Sequence, residues 1–469
     1  MWVSEEYYFN FYTDSPSKAP PSKLQPETRS LARPRVLQYN PLLTILLAHS
    51  EPKDTPYLMI LSLRPSHILW YLPLTLLIII ILIGCSEDKT PWQLHTEQGT
   101  TMMEQGKFPE AEQELEAALE LAEQFEGQDP RLTQSITNLA ILHNAKGEPE
   151  QAETLLLKAV AIHEEGPNPQ TAELAASLSN LGALYVTQQK FDQAQASFER
   201  ALAVREQALG PDNPEVIRDL ENLAALFVRQ AHYAQAEPYL KRVLDSRERT
   251  TGPEAPELIE PLNNLALLHR AQEQYDQSEA LLLRALAIKE KQIGPTNPHL
   301  LGSLNNLALL YSTAKQFSQA TPVLERMLTI SEEGFGKDHP RVAIILNQLG
   351  EIHRLQDQPE QAIPLIQRAI AIIEQAEGPE HSSLSGPLNN LALLYVTTGQ
   401  YDKADPLFQR TITLTEQTMG KDHFRVERAL RNYATLLRKI GRTEDAVTQE
   451  TRANAIHEKN NPTLTSSPG

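Results

Sequence analysis

The eight residues Leu304-Asn305-Asn306-Leu307-Ala308-Leu309-Leu310-Tyr311 return, in close variants, every 42 residues along most of the chain. The Asn-Leu-Ala core of this segment, or a close variant of it, begins at Asn138, Asn180, Asn222, Asn264, Asn306, Gln348, Asn390 and Asn432. A small residue keeps the same period, at Ala152, Ala194, Ala236, Ser278, Ala320, Ala362, Ala404 and Ala446. Ala111 precedes Ala152 by 41 residues, so a slightly irregular first copy begins near Trp92. The sequence is therefore an array of about nine copies of one unit.

Each copy carries the pattern of two helices. Between Pro214 and Arg229 the apolar residues recur at helical spacing, and the proline stands at a first-turn position that helices tolerate. A second apolar stripe follows Tyr233 and ends at Gly252-Pro253, a pair that breaks helices. A single hairpin cannot bury its own stripe, so the copies must stack into one continuous core. The period predicts an all-α fold, an α-solenoid of about nine helix hairpins over residues 92–458.

The residues of a copy resemble the tetratricopeptide repeat. The matching positions are Leu181, Gly182 and Tyr185 in the first helix and Ala194, Phe198 and Ala201 in the second. The family repeat is normally about 34 residues long, and a longer form with about one extra turn per helix is similar to the repeats of kinesin light chains and of many bacterial proteins. The resemblance implies a right-handed tetratricopeptide superhelix whose first helices line a concave groove for peptides or proteins. A kinesin function does not follow, because the chain has no heptad coiled coil.

Composition and motifs limit the function classes. The chain has 42 Lys and Arg against 60 Asp and Glu, a net charge of −18, whereas nucleic-acid binding requires clustered positive charge. The motifs GxxxxGK[ST], GxGxxG and HExxH are missing, and a single cysteine excludes a cysteine-rich zinc site. The repeat itself accounts for the histidines at the aromatic packing position (His143, His269, His353) and between copies (His339, His381, His423). We expect no enzymatic activity, no cofactor, no metal site and no nucleic-acid partner.

Cys85, the single cysteine, directly follows the longest apolar stretch of the chain, residues 68–84, which carries no charge. This stretch, with Arg64 before it, resembles a bacterial lipoprotein signal, in which the cysteine is the lipid attachment site and the chain is cut before it. Translation from Met59 would make 59–84 the signal peptide and 85–91 a short linker. Residues 1–58 would then be a mis-assigned upstream extension; if they are instead a real, disordered cytoplasmic extension, a membrane-spanning helix is favoured. The alternative is a single-pass helix, for which 17 apolar residues are the short limit.

A lipid anchor would hold the solenoid outside the cytoplasm. Ser86 rather than Asp follows the cysteine, which by resemblance to Gram-negative sorting favours the outer membrane if the source is Gram-negative. We expect a membrane-anchored protein with an extracytoplasmic solenoid. A polar last helix after Thr443 would cap the array and favour a monomer, and residues 459–469 have the composition of a disordered tail.

Two charge series recur in register and predict ion pairs between copies. The basic series is Lys158, Arg200, Arg242, Arg284, Arg326, Arg368, Arg410 and Arg452. The acidic series is Glu164, Glu206, Glu248, Glu290, Glu332, Glu374, Glu416 and Glu458. Because surface pairs are individually weak, we expect them to set the stacking register rather than to add much stability.

The asparagine series, called here the amide ladder, has two interpretations. Asn is a poor residue for a helix interior, yet it occupies seven of the eight equivalent sites from Asn138 to Asn432. Its carboxamide either bonds a neighbouring helix or loop, or holds an extended peptide by its main chain, since it offers both a donor and an acceptor.

Two variable rows accompany the ladder and are candidates for specificity. The preceding row, one residue before the ladder, is Thr137, Ser179, Glu221, Asn263, Asn305, Asn347, Asn389 and Arg431. The outer row, four residues before it, is Gln134, Ala176, Arg218, Glu260, Gly302, Ile344, Gly386 and Arg428. We predict groove contacts at Asn180, Asn222, Asn263, Asn264, Asn305, Asn306, Asn389, Asn390, Arg428 and Arg431. The two arginines, near Arg438 and Lys439, either bind a carboxylate or acidic side chains of a partner or form a solvated helix face.

These observations favour a membrane-tethered scaffold that binds partner peptides or proteins in the groove. The alternative is a structural subunit of a cell-envelope assembly. The two differ in stoichiometry, because a scaffold is monomeric and binds reversibly, whereas a subunit elutes as a defined complex.

Overall fold

The computed structural model describes residues 89–125, 129–166 and 171–460. These residues form 18 α-helices and three short 3-10 helices, with no strand among them. Consecutive helices pack as hairpins, one hairpin in each of copies 1 to 9, which confirms the predicted all-α solenoid. The helices are α1 Pro91–Glu104, α2 Phe108–Ala122, α3 Pro130–Lys146, α4 Pro149–Glu164, α5 Ala172–Thr187, α6 Phe191–Leu209, α7 Pro214–Arg229, α8 Tyr233–Thr251, α9 Ile259–Ala271, α10 Tyr275–Ile293, α11 Leu301–Thr313, α12 Phe317–Phe335, α13 Pro340–Leu355, α14 Pro359–Glu377, α15 Ser385–Thr397, α16 Tyr401–Met419, α17 Phe424–Lys439 and α18 Thr443–Asn460.

Copy 4 shows how local signals set the helix ends. Helix α7 begins at Pro214 and ends at Arg229, as the apolar spacing predicts. The side chain of Asn213 caps its start, because Oδ1 accepts a hydrogen bond of 2.9 Å from the backbone N–H of Glu215. Helix α8 ends at Thr251, and Gly252 follows as the predicted breaker.

The turn inside each hairpin contains one residue with positive φ. Glycine supplies it in copies 1, 2, 8 and 9, at Gly106, Gly147, Gly399 and Gly441. The other five copies use residues with side chains at φ of 57° to 60°, namely Gln189, Ala231, Glu273, Lys315 and Asp357. Because left-handed backbone costs a non-glycine residue about 1–2 kcal/mol, these five turns are strained.

The loops between copies contain a second, stricter glycine position. Six glycines 42 residues apart end the second helices with nearly the same torsions, φ of 84° to 95° and ψ of 154° to 163°. They are Gly210, Gly252, Gly294, Gly336, Gly378 and Gly420. This region of backbone space is essentially restricted to glycine, so the position sets how each copy enters the next.

The small-residue series marks where the helices meet. All eight members, from Ala152 to Ala446, have no exposed surface. The first helices also carry a small residue at the contact, and a Cβ added to Gly182 would lie 2.7 Å from Cδ1 of Phe198. These close approaches let large apolar side chains interlock, and the buried residues join one copy to the next.

Among the described residues, no helix is both long and apolar enough to span a membrane. The predicted signal segment and its lipid attachment site, Cys85, lie outside the described residues.

Candidate functional site

The amide ladder and its two accompanying rows lie on one face of the first helices, here called the groove face. In copies 2 to 9 every outer-row residue is exposed. Every ladder residue is half-buried, and so is every preceding-row residue except Arg431, which is exposed. The three rows therefore present polar and variable side chains to a potential partner along eight successive copies.

In the C-terminal copies the ladder amides bond neighbouring first helices. Gln348 Nε2 donates to Asn305 Oδ1 at 3.4 Å. Asn390 Nδ2 donates to Asn347 Oδ1 at 3.2 Å, and Asn432 Nδ2 donates to Asn389 Oδ1 at 2.9 Å. Each bond runs from the ladder residue of one copy to the preceding-row residue of the copy before it. Between copies 6 and 9 the structural interpretation of the amides is therefore correct.

In the N-terminal and middle copies the ladder amides have no such bond. No side-chain hydrogen bond involves Asn138, Asn180, Asn222, Asn264 or Asn306 within the described part of the chain, and all five are half-buried on the groove face. At two junctions, between copies 3 and 4 and between copies 4 and 5, the preceding-row residue is engaged elsewhere and accepts no bond from the ladder amide. Ser179 donates instead to Asp219 Oδ1 at 2.8 Å, and Glu221 lies 3.3 Å from Nη2 of Arg247. These ladder amides keep both donor and acceptor for a ligand.

The predicted groove residues thus separate into two groups. Asn305, Asn389 and Asn390 take part in bonds between copies, although each keeps part of its hydrogen-bonding capacity. Asn180, Asn222, Asn264 and Asn306 do not, and the Oδ1 atom of Asn263 is buried without a partner among the described residues. In the second group no bond between copies engages the carboxamide within the described residues.

The predicted basic patch in copy 9 is largely paired with carboxylates of the chain itself. Arg431 contacts Oε1 of Glu427 at 3.0 Å, and Arg438 makes a two-pronged contact with Glu450 at 2.8 and 2.5 Å. The Glu450 contact raises the pKa of the Arg438 guanidinium. Arg428 lies exposed on α17. These pairings favour the solvated-face interpretation over a strong anion site.

A buried ion pair joins copies 3 and 4, and the sequence analysis did not single it out. Nη1 of Arg205 lies 2.7 Å from Oδ2 of Asp219, and the two side chains are 5% and 0% exposed. Burial raises the pKa of the Asp219 carboxyl, and the favourable contacts with Arg205 and Ser179 only partly oppose this. The residues equivalent to Asp219 in the flanking copies are the uncharged Ser177 and Pro261. A charged residue at a repeat position that is otherwise uncharged was therefore the sequence signal for this ion pair.

The groove face beside this pair is charged. Burial raises the pKa of the Glu221 carboxyl, with Arg247 opposing the shift and Glu260 adding to it. Arg270, on the next first helix, has a pKa lowered by burial. Copies 4 and 5 therefore hold a mixed set of charges at their groove face.

The two charge series pair as predicted. Seven arginines of the second helices, from Arg200 to Arg452, each contact the glutamate of the copy before, 36 residues earlier. Several arginines also bond the loop between copies, as Arg284 does by donating to the Pro253 carbonyl at 2.8 Å. Both side chains of these pairs are partly exposed, so each pair is worth about 0 to 1 kcal/mol. These pairs join the second helices of neighbouring copies, whereas the groove rows lie on the first helices.

The histidines have structural positions. His269 and His353 are buried at the aromatic position of the first helix, and their Nδ1 atoms contact the side-chain oxygens of Gln274 and Gln358 at 2.6 and 2.8 Å. Within the described residues, no group of three His, Cys, Asp or Glu side chains could hold a metal ion.

Comparison with known families identifies the repeat. A sequence model of the tetratricopeptide repeat matches residues 93–165, 173–249, 257–333, 322–375 and 383–459. The chain is a member of the tetratricopeptide repeat family. The tetratricopeptide array is a protein-interaction scaffold, and this chain carries such an array. Comparison with curated protein sequences finds no match.

Several solved structures are similar to this one. BtubC (BKLC) of P. vanneervenii is 20% identical, with a TM-score of 0.41, and the match covers 53% of this chain and 94% of that one. A putative kinesin light chain from Podosopora anserina is 24% identical, with a TM-score of 0.39, over 44% of this chain and 98% of that one. The apo form of RapI is 13% identical, with a TM-score of 0.53, over 78% of this chain and 98% of that one. At these identities the likeness concerns the fold alone.

Proposed function

We propose that this tetratricopeptide protein is a membrane-tethered scaffold that binds an extended partner segment along the groove face of its first helices. The observation that carries the proposal is the set of ladder amides without a partner in the described chain, on successive first helices from Asn138 to Asn306. Amides left half-exposed inside helices are unfavourable for folding alone. A ligand main chain would supply the donors and acceptors that they lack.

A displayed library of random peptides, selected on the full-length protein in detergent, tests this proposal. An enriched peptide should bind the Asn264→Ala/Asn306→Ala variant at least tenfold more weakly, because two groove amides are lost. The thermal stability of this variant should be unchanged or slightly higher, since neither side chain bonds another part of the described chain and alanine has the higher helix propensity.

Asn432→Ala is the matched control for this test. Its Nδ2 donates to Asn389 at 2.9 Å, so its loss should lower the free energy of unfolding by about 0.5–1.5 kcal/mol. Peptides that bind the double variant as tightly as the wild type would refute binding by the ladder amides.

The tether part of the proposal rests on the apolar stretch before Cys85. Mass spectrometry of the N-terminal peptide from membrane-fraction protein should find an acylated peptide that begins at Cys85. A free thiol at Cys85 in an uncut chain would refute the lipid anchor and favour a membrane-spanning helix. An acylated product would also support an extracytoplasmic solenoid, at the outer membrane if the source is Gram-negative.

The proposed scaffold acts as a monomer. Support comes from α18, whose exposed residues are mostly polar, as in the terminal helices that limit end-to-end stacking of repeat arrays. Light scattering of the detergent-solubilised protein should give the mass of one chain plus detergent, whereas a defined oligomer would favour the assembly-subunit function.

A further inference from the structure

The groove face is divided by charge. In copies 6 to 8 the nine residues of the three rows carry no charge; they are Gly302, Asn305, Asn306, Ile344, Asn347, Gln348, Gly386, Asn389 and Asn390. Copies 4 and 5 contribute Arg218, Glu221 and Glu260 to the same rows, and copy 9 contributes Arg428 and Arg431. An uncharged window of three copies therefore lies between charged segments, in a chain with a net charge of −18.

The outer row of this window is open and apolar. The side chain of Ile344 is 60% exposed, more than any other large apolar residue in the described chain. Its neighbours in the row are Gly302 and Gly386, and a Cβ added to either glycine would meet no atom within 4 Å. The isoleucine thus stands in the row between two positions, called here gaps, where the backbone faces open space.

The preceding row supplies donors beside these gaps. Asn305 and Asn347 use Oδ1 to accept the bonds from Gln348 and Asn390, and this fixes the direction in which each carboxamide points. Their Nδ2 groups donate no hydrogen bond within the described chain, and they can therefore donate to carbonyl groups of a ligand. Carbonyl acceptors are present in every peptide main chain, so these donors select an extended chain rather than a particular side chain.

The charged side chains on the helix of Ile344 make contacts within the chain. Glu351 and Arg354 form a two-pronged pair with both distances 2.7 Å. Arg341, three residues before Ile344, is exposed, and its guanidinium lies 4.9 Å from the centroid of the Phe335 ring. The nine window residues themselves carry no charge.

We infer that copies 6 to 8 bind an uncharged, extended segment of a partner protein, with small or apolar side chains of that segment in the gaps beside Ile344. The inference rests on the proposed function and adds the chemistry of the ligand. Burying a charged ligand side chain against Ile344 and the glycines would remove it from water without an ion partner, which is unfavourable. An uncharged apolar side chain gains from the same burial.

The peptide selection on the full-length protein tests the inference through aspartate variants. Gly302→Asp, Ile344→Asp and Gly386→Asp each place a charge in the window. Acidic residues in the first turn suit the starts of α11 and α15, so both glycine variants should fold normally, as checked by thermal melting. Ala371→Asp is the matched control, since Ala371 is an exposed residue of α14, the second helix of copy 7, which carries none of the groove rows.

The expected result is that enriched peptides carry no net charge and contain an apolar residue. Each of the three window variants should weaken their binding at least tenfold, and Ala371→Asp less than twofold. Their affinity should change little when the salt concentration rises from about 0.1 M to about 1 M.

Other outcomes would overturn the inference. Charged peptides that depend on Asn264 and Asn306 but bind the window variants normally would refute the inference and leave the proposed function standing. If no enriched peptide responds to any groove substitution, the proposed function fails as well.

Discussion

Gly294 and Gly302 allow a direct measurement of what the loop glycines contribute. A Cβ added to either residue would meet no atom within 4 Å, so replacement by alanine changes only the backbone preference. Gly294 has φ of 86° and ψ of 158°, whereas Gly302 lies in the first turn of α11 with helical torsions. The pair separates torsional strain from packing.

The two substitutions should have opposite signs. Alanine at Gly294 enters a region that is essentially restricted to glycine, at a cost of about 1–3 kcal/mol. Alanine at Gly302 should stabilise the helix by about 0.5–1 kcal/mol, because glycine loses more conformational freedom on folding. The two variants should therefore differ by about 1.5–4 kcal/mol in the stability of the region around copies 5 and 6.

Hydrogen exchange measured by mass spectrometry is the appropriate assay, because long repeat arrays need not unfold in one step. Peptides from α10 and α11 should exchange roughly 5- to 150-fold faster in Gly294→Ala, since about 1.4 kcal/mol corresponds to a factor of ten. They should exchange more slowly in Gly302→Ala, and peptides from α3 and α18 should be unaffected in both variants. Equal exchange in the two variants would refute the claim that the loop torsion requires glycine.

Three further predictions concern single turns and junctions. Ala231→Gly should stabilise the α7–α8 hairpin by up to about 1 kcal/mol, because Ala231 has φ of 57°. Slower hydrogen exchange in both helices would show this stabilisation. Gly399→Ala, at the equivalent turn between α15 and α16, should destabilise its hairpin. Replacing Arg205 or Asp219 alone by leucine should destabilise copies 3 and 4 by about 3–5 kcal/mol, measured by hydrogen exchange in α6 and α7, whereas replacing both should be neutral or stabilising; additive losses would contradict this account of the buried pair. The side-chain hydrogen bond from Arg131 lowers the pKa of Asp129, the cap of α3, to about 2. The stabilisation of α3 by the ionised Asp129 carboxylate is complete above pH 3.8 and is lost as the pH falls through about 2. Pepsin should therefore cleave α3 of the wild type faster as the pH is lowered from 3.8 to about 2. The cleavage rate of Asp129→Asn should depend less on pH.

The helices could be predicted from the sequence because the period is repeated nine times and every copy carries its own start and stop signals. Pro214 and Gly252 bound their hairpin where the apolar spacing places its ends. The ion-pair series could also be predicted, since both signs recur at one spacing and long side chains reach the next copy. In each case a feature common to all copies is a property of the shared geometry.

The two roles of the amide ladder could not be separated in this way. Asn306 and Asn390 occupy the same position of the repeat, yet Asn390 bonds Asn347 and Asn306 bonds no residue of the described chain. The outcome depends on the side-chain torsions of two residues in neighbouring copies and on competing partners such as Asp219, which draws Ser179 away. Such competition between individual contacts is not visible in a periodic pattern.

Comparing the residues at equivalent positions of the nine copies shows which positions the fold constrains. At the position of the basic series, seven of eight residues are arginine, and each arginine contacts the copy before. At the outer row, the same eight copies hold residues as different as Gly302, Ile344 and Glu260, all exposed. A position that accepts glycine, isoleucine and glutamate within one array contributes little to stacking, because its side chains are exposed in every copy. Residues of the outer row can therefore change the ligand without a change in the array, and the uncharged window of copies 6 to 8 is a property of the binding surface rather than a requirement of the fold.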